Sequence, residues 1–395
     1  MPYYRAVGEI PRKRHTQFRG PDGGLYAEEL MGVEGFSSDS ALLYHRNLPT
    51  AIVNAETVED HGRATVANLP LKPRHFRTQD LKWEDVHAAD AVTGRRLLFA
   101  NSDVAICFVV AHAPSPLYRN AFGDELLYVQ AGAGVVETIY GALTVGEGDY
   151  VVLPTSTTYR VVPEEELSLL VLEATGHIGP PRRYLAAKGQ FLEHAPYCER
   201  DLRGPSSPLL DESGATDVPV LVRHRAGLTR FTYAHHPFDV VGWDGCLYPW
   251  AFNIRDFEPI TGRVHQPPPV HQTFEGPNFV VCSFCPRKVD YHPLAIPVPY
   301  NHANVDSDEL MFYVGGNYEA RKGSGIGIGS MSLHPSGCTH GPQPGAVEAA
   351  LGADYFDETA VMVDTFRPLQ LGEAAGECED PRYAWSWSRR GPDWD

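Results

Sequence analysis

The sequence predicts a mainly β protein built from two similar jelly-roll units of the β-sandwich or barrel type. Short runs of β-branched and aromatic residues alternate with glycine, proline and aspartate turns over residues 126–174, and again from about residue 231. Helical periodicity is scarce, and "GAVEAALGA" at 345–353 is its best example. The phrase "DELLYVQAG" at 124–132 returns as "DELMFYVGG" at 308–316. Repetition among many short strands favours a duplicated fold.

The elements divide the chain into two predicted domains. The first hundred residues have mixed patterns that assign no element, and a proline-rich polar stretch over residues 179–219 separates the two strand-rich segments. We therefore expect a β-rich N-terminal domain at 1–235, containing a degenerate unit at about 100–175 and a linker. The second domain is expected at 236–395, and its aromatic tail from residue 378 reads as a packed arm or subunit contact.

Composition and charge narrow the function classes. With 33 basic against 50 acidic residues, the formal charge is −17, which disfavours nucleic acid and anionic membranes as partners. We find no apolar run of membrane-spanning length and no signal-peptide core in "MPYYRAVGEI". The 7 scattered cysteines are typical of a reducing compartment, so we expect a cytoplasmic protein.

The second copy of the phrase belongs to a pair of spaced motifs. The first reads His-x-Asn-x4-Glu-x6-Gly and the second Gly-x5-Pro-x-Gly-x2-His. Both resemble the two motifs of the cupin superfamily, except that an asparagine stands where the first motif usually has its second histidine. The motif residues are His302, Asn304, Glu309, Gly316, Gly329, Pro335, Gly337 and His340.

This spacing predicts a metal site. Residues two apart in a strand share a face, and a hairpin shaped by Pro335 and Gly337 can return His340 to His302 and Glu309. Two imidazoles and one carboxylate leave up to three open positions on an octahedral metal, which suits ferrous iron and dioxygen chemistry. The asparagine withholds a fourth ligand, which favours a substrate that chelates the metal. His334 is either a hydrogen-bond partner of the site, a substrate contact or a locally satisfied strand histidine.

The first copy lacks these ligands. Aligning Glu125 with the glutamate of the second copy places Tyr118 and Tyr159 at the two histidine positions, and Asn120 at the asparagine position. A lone carboxylate does not hold a transition metal. The first unit is therefore predicted to be a degenerate, structural cupin.

Longer stretches resemble one family, homogentisate 1,2-dioxygenase. They are "GLYAEELMG", "LLYHRNLPT", "HPFDVVGWDGCLYPWAFNIRDF", "PVPYNHANVDSDELMFYVGGNYEARKG" and "SLHPSGCTHGP". The resemblance implies a C-terminal cupin-like catalytic domain that binds Fe(II), and a homo-oligomer, either a trimer or a hexamer. It also implies that O2 opens the ring of homogentisate (2,5-dihydroxyphenylacetate) to give maleylacetoacetate, in tyrosine and phenylalanine catabolism.

The same resemblance implies roles for individual residues. The iron ligands would be His302, Glu309 and His340, with Tyr300 and Tyr318 lining the substrate pocket. Arg321 stands near a family lysine and could attract the substrate carboxylate with a different, forked geometry. His334 and His340 complete the candidate substrate contacts.

The catalytic histidine is less clear than the ligands. The family places it in an Asp-His-Ala-Asp-Pro context, whereas this chain reads "GRVHQPPPVHQTFEG", so His265 and His271 compete. We favour His265, because prolines follow it. Either imidazole suits the removal of a hydroxyl proton at neutral pH.

Two alternatives remain from the sequence. One is a dioxygenase of gentisate or another hydroxylated aromatic acid, since the spacing from His302 to Glu309 is one residue longer than is usual in the family. The other is a non-catalytic two-cupin protein that binds a small molecule. The second alternative predicts no oxygen uptake.

Overall fold

The computed structural model describes residues 3–83 and 89–392. Strands take up 42% of the chain and helices 9%, which confirms the mainly β fold predicted from the sequence. The strands are β1 Arg5–Gly8, β2 Ala27–Gly32, β3 Ser40–His45, β4 Ile52–Val58, β5 Thr65–Val66, β6 Arg74–Arg77, β7 Arg96–Ala100, β8 Val104–Ala111, β9 Leu117–Asn120, β10 Glu125–Thr138, β11 Gly141–Gly146, β12 Asp149–Leu153, β13 Tyr159–Ala174, β14 Val218–His224, β15 Gly227–Tyr233, β16 Val240–Gly245, β17 Trp250–Asn253, β18 Gln272–Gly276, β19 Phe279–Phe284, β20 Arg287–Lys288, β21 Asp308–Gly316, β22 Ser330–His334, β23 Tyr355–Phe356, β24 Glu358–Thr365, β25 Gln370–Gly372 and β26 Glu379–Asp380.

Helices in the described residues are short. The α-helices are α1 Ala346–Ala350, within the predicted helical stretch, and α2 Ala375–Cys378. The 3₁₀ helices are Glu34–Phe36, Thr78–Asp80, Arg182–Tyr184, Glu199–Asp201, Ile254–Asp256, Pro268–His271, Glu319–Arg321 and Tyr383–Trp385. None of the described helices combines the length and apolar character that crossing a membrane requires.

The chain forms two compact units. The first comprises Met1–His61, Asp85–Arg95 and Val109–Asn253, and the second Gly62–Glu84, Arg96–Phe108 and Ile254–Asp395. This division lies later than the expected boundary at residue 235. The reason is hydrogen bonding, because β16 pairs with β1 and β3, and β17 pairs with β12, all within the first unit.

In the first unit, a four-stranded sheet has the order β1-β16-β3-β2. A second, curled sheet contains the order β4-β15-β14-β9-β13, and its strand β10 pairs with β11, β12 and β13. Tyr128 of β10, Tyr150 of β12 and Leu170 of β13 lie opposite one another on one face of this sheet, and all three are buried in the core of the unit. Its aromatic rings pack closely, with Tyr128 and Tyr150 at a centroid distance of 4.8 Å.

In the second unit, a seven-stranded sheet has the order β18-β19-β24-β21-β22-β6-β26. Strand β21, which contains the repeated phrase, lies between β22 and β24 and is therefore hydrogen-bonded on both sides. Strand β6 comes from the early part of the chain, which the sequence could not assign. Its Phe76 is fully buried and packs edge-on against Phe99 at 5.0 Å.

The repeated phrase marks the same construction in both units. Its final glycines, Gly132 and Gly316, have left-handed φ values of 87° and 78°. A Cβ atom would lie 1.9 Å from the Glu166 carbonyl oxygen in the first case and 2.0 Å from that of Asp357 in the second. A bulge interrupts each strand at the matching place, after Val129 and after Tyr313. Both copies therefore need glycine because the chain turns against a neighbouring backbone.

The aspartate of each phrase also has one structural role. Asp124 accepts a hydrogen bond from the Thr155 amide at 2.8 Å, and Asp308 accepts one from the Ser336 amide at 2.9 Å. Each donor directly follows the proline of the second motif. The aspartate therefore ties the two motifs together in both units, which leaves the glutamate beside it available for chemistry.

Candidate metal centre

Three predicted ligands meet at one end of β21. His302 and His340 lie opposite each other in an isolated antiparallel bridge, whose two N–H to O hydrogen bonds measure 2.8 and 2.9 Å. Their ring centroids are 4.3 Å apart. The Nε2 atom of each lies 3.4 Å from a different oxygen of Glu309. One potential ligand atom from each of the three residues lies within 4.8 Å of the others.

The backbone sets the tautomer of both imidazoles. Nδ1 of His302 donates to the Tyr300 carbonyl at 3.2 Å, and Nδ1 of His340 donates to the Cys338 carbonyl at 3.1 Å. Since Nδ1 of each imidazole is occupied by the backbone, Nε2, which lies toward Glu309, is the atom that a metal could use. Among the described residues, His340 Nε2 is buried and has no hydrogen-bond partner. Two such nitrogens and a carboxylate fit a divalent transition metal.

Glu309 is ionised in this setting. Burial opposes its charge, but His302, His334 and His340 face its oxygens and hold its pKa well below the usual value. A metal would therefore meet a carboxylate that is already deprotonated, with two neutral nitrogen ligands beside it.

His334 lies behind the ligands and not in the cavity. It is fully buried, its Nδ1 donates to Glu309 at 3.1 Å, and its Nε2 accepts from the Tyr383 hydroxyl at 2.9 Å. Its ring stacks on His340 at 4.1 Å with planes 13° apart. Burial lowers its pKa to about 3, so it remains neutral and can both donate and accept. This geometry favours a hydrogen-bond partner of the site over a substrate contact.

A cleft opens in front of His302 and Glu309. Its walls combine apolar and aromatic side chains with a few polar groups, which is typical of a small-molecule site. The residues that line the cleft include Met311, Met362, Phe284, His265, His271, Tyr318 and Arg321. Tyr300, expected in the same pocket, is 61% exposed and lines a neighbouring groove instead.

Both candidate catalytic histidines line this cleft. Nδ1 of His265 lies 3.5 Å from a carboxylate oxygen of Asp290, and its Nε2 is buried without a hydrogen-bond partner in the described chain. His271 is buried and stacks on Phe284 at 4.5 Å. Burial, with the nearby charges of Arg287 and His265, lowers the pKa of His271 to about 3. Only His265 has a carboxylate beside it.

Arg321 places a buried positive charge in the wall of the cleft. Its Nε donates to the Tyr313 hydroxyl at 3.3 Å and its Nη1 to the Gly341 carbonyl at 2.5 Å. The guanidinium also lies over the Trp387 ring, 6.0 Å from its centroid. Within the described residues no carboxylate lies at ion-pair distance from it. A buried cation without a counter-ion attracts an anionic group.

Sequence reasoning missed two aromatic residues that support the site. Tyr383 bonds to His334, and the Trp387 indole donates to the Gly341 carbonyl at 3.2 Å. Both belong to the tail that was expected only to pack as an arm or a subunit contact. No motif spacing connects them to the ligands, and the tail's aromatic content was the only available signal.

The equivalent position in the first unit contains a cation from the chain itself. Arg95 Nη1 lies 2.5 Å from Glu125 and 2.8 Å from Glu173. Tyr159 donates to Glu125 at 2.6 Å, and its backbone pairs with Tyr118 as His340 pairs with His302. Burial raises the pKa of Tyr159 well above its usual value, so the hydroxyl stays neutral. Two phenols therefore stand at the positions of the two imidazoles, and the Arg95 guanidinium supplies the positive charge beside the glutamate.

Comparison with protein families matches two parts of the chain. Residues 4–254 match the family described as homogentisate 1,2-dioxygenase N-terminal, and residues 265–389 match its C-terminal counterpart.

Two relatives cover most of the chain. A Saccharolobus solfataricus protein that is named as a dioxygenase is 38% identical over 391 residues, which is 98% of this chain and 99% of that protein. Homogentisate 1,2-dioxygenase of Emericella nidulans is 27% identical over 376 residues, which is 88% of this chain and 81% of that protein. Among solved structures, a cupin barrel protein from Leptotrichia buccalis is 9% identical with a TM-score of 0.30, covering 81% of this chain and 99% of its own.

Proposed function

We propose that this chain, which belongs to the homogentisate 1,2-dioxygenase family, opens the ring of homogentisate with O2 to give maleylacetoacetate. The chain is an aromatic ring-cleaving dioxygenase. The proposal adds the substrate, the product and a place in tyrosine and phenylalanine catabolism. The convergence of His302, Glu309 and His340 beside a cleft that accepts an aromatic ring is the observation that carries it.

The proposed cofactor is Fe(II), held by His302, Glu309 and His340. When bound, the ferrous ion would acidify a phenolic hydroxyl and supply electrons for reaction with O2. The protein's own part is orientation. The Tyr300 and Cys338 carbonyls hold the imidazoles in the ligating tautomer. His334, itself held by the Tyr383 hydroxyl, holds the Glu309 carboxylate.

Arg321 supports a substrate that carries a carboxylate. Its charge is buried at the cleft wall, and the groups that it contacts, the Tyr313 hydroxyl, the Gly341 carbonyl and the Trp387 ring, are neutral. A carboxylate would form a charge-assisted hydrogen bond there and orient the ring against the metal centre. Tyr318, on the same wall, would pack against the ring.

His265 is the better candidate for proton acceptor. Its unpartnered Nε2 faces a buried environment, and Asp290 beside Nδ1 would stabilise the imidazolium once it forms. His271 is a poor acceptor, because a group with a pKa of about 3 does not hold a proton at neutral pH. We therefore assign the hydroxyl proton to His265.

The test uses protein purified without oxygen and loaded with iron. Oxygen uptake and product mass are measured with homogentisate, gentisate and hydroquinone, which differ in the carboxylate arm. We expect one iron per chain, uptake fastest with homogentisate, slower with gentisate and slowest with hydroquinone, and a product heavier by two oxygen atoms. An iron-loaded protein that consumes no oxygen with any of them would overturn the proposal.

Gentisate or another hydroxylated aromatic acid is the second candidate. The observations that favour it are Arg321 in place of the family lysine and the longer spacing between His302 and Glu309. Faster turnover of gentisate than of homogentisate would select it.

We extend the proposal to a homo-oligomer, trimeric or hexameric, in the cytoplasm. Light scattering on the purified protein tests the first of these, and fractionation of the source cells tests the second.

A further inference from the structure

A second carboxylate lies next to the metal ligand Glu309. In the sheet, Glu309 pairs with His334 of β22 on one side and with Asp364 of β24 on the other. Side chains alternate along a strand, so Ala360, Met362 and Asp364 share a face. Ala360 and Met362 line the cleft, and Asp364 continues that row to the level of Glu309.

The environment of Asp364 is unusual for an acid. Its Oδ1 is buried and has no hydrogen-bond partner within the described residues. Burial and the charge of Glu309 raise the pKa of Asp364 well above its usual value, so it is a neutral carboxylic acid here. A buried acceptor left without a hydrogen bond is costly, and its retention indicates a partner that protein atoms do not supply.

The first unit shows what such a pair of acids can do. There, Glu125 pairs with Glu173 across the equivalent ladder, as Glu309 pairs with Asp364. Both carboxylates contact a single cation, Arg95, at 2.5 and 2.8 Å. In the described part of the second unit, no arginine or lysine lies at ion-pair distance from Glu309 or Asp364. The paired acids there face the place that the metal would take.

Asp364 is not a fourth ligand on this geometry. The group whose ligand atoms come within 4.8 Å of one another contains His302, Glu309 and His340 but not Asp364. An acid one layer out from a metal accepts hydrogen bonds from groups that the metal binds, and such outer partners tune affinity.

We propose that Asp364 is a positioning residue of the metal centre, whose carboxyl Oδ1 accepts a hydrogen bond from a water molecule beside the ion that His302, Glu309 and His340 would hold. The inference rests on the proposed function, because it requires the metal. It adds a residue that no cupin motif contains, and it explains why the second unit keeps an acid opposite its metal-binding glutamate.

The test compares D364A and D364E with the matched control E173A, which changes the equivalent acid in the first unit. Co(II) affinity is measured without oxygen by competition with a chelator, so the readout does not depend on turnover. We expect D364A, which removes the acceptor, to bind Co(II) about 10- to 100-fold more weakly than the natural protein. D364E should recover part of the loss, and E173A should bind as the natural protein does.

The other outcomes distinguish failure of this inference from failure of the proposed function. A folded D364A that binds Co(II) within about threefold of the natural protein overturns the inference and leaves the proposed function intact. Failure of the natural protein itself to bind metal overturns the proposed function. If D364A does not fold, the visible spectrum of Co(II) bound to D364E decides. A spectrum different from those of the natural protein and E173A supports the role of Asp364, and an identical spectrum overturns it.

Discussion

Glu125 and Glu309 occupy the same place in two copies of one scaffold, yet they have opposite partners. Glu125 contacts the guanidinium of Arg95 at 2.5 Å, whereas Glu309 lies 3.4 Å from the Nε2 atoms of two imidazoles. Both glutamates are buried. A buried carboxylate needs a positive neighbour, and the two units meet this need in different ways. The first uses its own side chain, and the second leaves room for a metal.

The residues that pair with these two glutamates in the adjacent strands, β12 and β22, also differ between the units. Opposite Glu125 stands Leu153, and opposite Glu309 stands His334. An apolar side chain suffices where a guanidinium already orients the carboxylate. A hydrogen-bond donor is needed where the carboxylate must be held for an external ion. Chemistry therefore depends on a few partners of the glutamate, while the glycines, bulges and aspartates maintain the shared scaffold.

We expect the largest effect when a ligand histidine of the second unit is removed. H302A or H340A should abolish iron binding and oxygen uptake, because one imidazole and one carboxylate do not hold the ion. Y118F and Y159F, at the equivalent positions, should keep both. Iron content, oxygen uptake and thermal unfolding measure this. Iron-replete activity in either histidine variant would contradict the assignment.

We expect the next largest effect when the cation of the first unit, Arg95, is removed. R95M leaves Glu125 and Glu173 buried without a counter-charge, so we expect the free energy of unfolding to fall by about 3–5 kcal/mol. Urea unfolding measures the loss. Iron affinity should not change if the protein remains folded. A loss below about 1 kcal/mol would show that Arg95 does not replace the metal as the balancing charge.

A third variant makes the second unit resemble the first. H334L introduces the side-chain type found at Leu153 and removes the donor to Glu309 and the stacking partner of His340. Metal affinity should fall about 10- to 100-fold, as for other residues that orient ligands. Y383F, which removes only one hydroxyl, should weaken binding less than this. Equal affinities in H334L and the natural protein would count against the orienting role.

Buried histidines should give the two units opposite pH dependence. His271 in the second unit has a pKa lowered by burial to about 3, below the model-peptide value near 6.5. The unfolded state therefore takes up a proton first as the pH falls, and stability decreases from about pH 6.5 down toward 3. H271Q should remove this loss, which reaches about 2 kcal/mol at pH 5. Urea unfolding at a series of pH values measures it.

His45 in the first unit is the counterpart. Burial opposes its charge, but hydrogen bonds to Asp239 and Glu29 outweigh burial and raise its pKa to about 9. Its contribution is complete below pH 6.5 and is lost as the pH rises through 9. H45Q should flatten the alkaline side of the same stability profile. Parallel profiles for the natural protein and H45Q would refute this.

We expect the smallest effect at the glycines that the two units share. G132A and G316A should each reduce stability by about 1–2 kcal/mol or somewhat more, because both glycines have positive φ and face a backbone carbonyl. Thermal unfolding of both variants tests whether the two sites respond alike. A cost at only one of them would argue against a common scaffold.

Much of this protein could be predicted from its sequence. The repeated phrase indicated two β-rich units of similar construction, and the motif spacing selected His302, Glu309 and His340, which the structure brings together. These features depend on strand alternation, a hairpin and glycine conformations, which are properties of neighbouring residues. Local geometry is written directly in local sequence.

Tertiary structure decided the partners of those residues. Arg95 beside Glu125, Tyr383 behind His334, Asp364 next to Glu309 and Asp290 beside His265 come from segments whose spacing relates them to no motif. Their contacts depend on which strands pair and in which register, and register is set by packing of the whole sheet. The sequence therefore determined which residues can bind a metal, and only the folded chain decided which cation each glutamate meets.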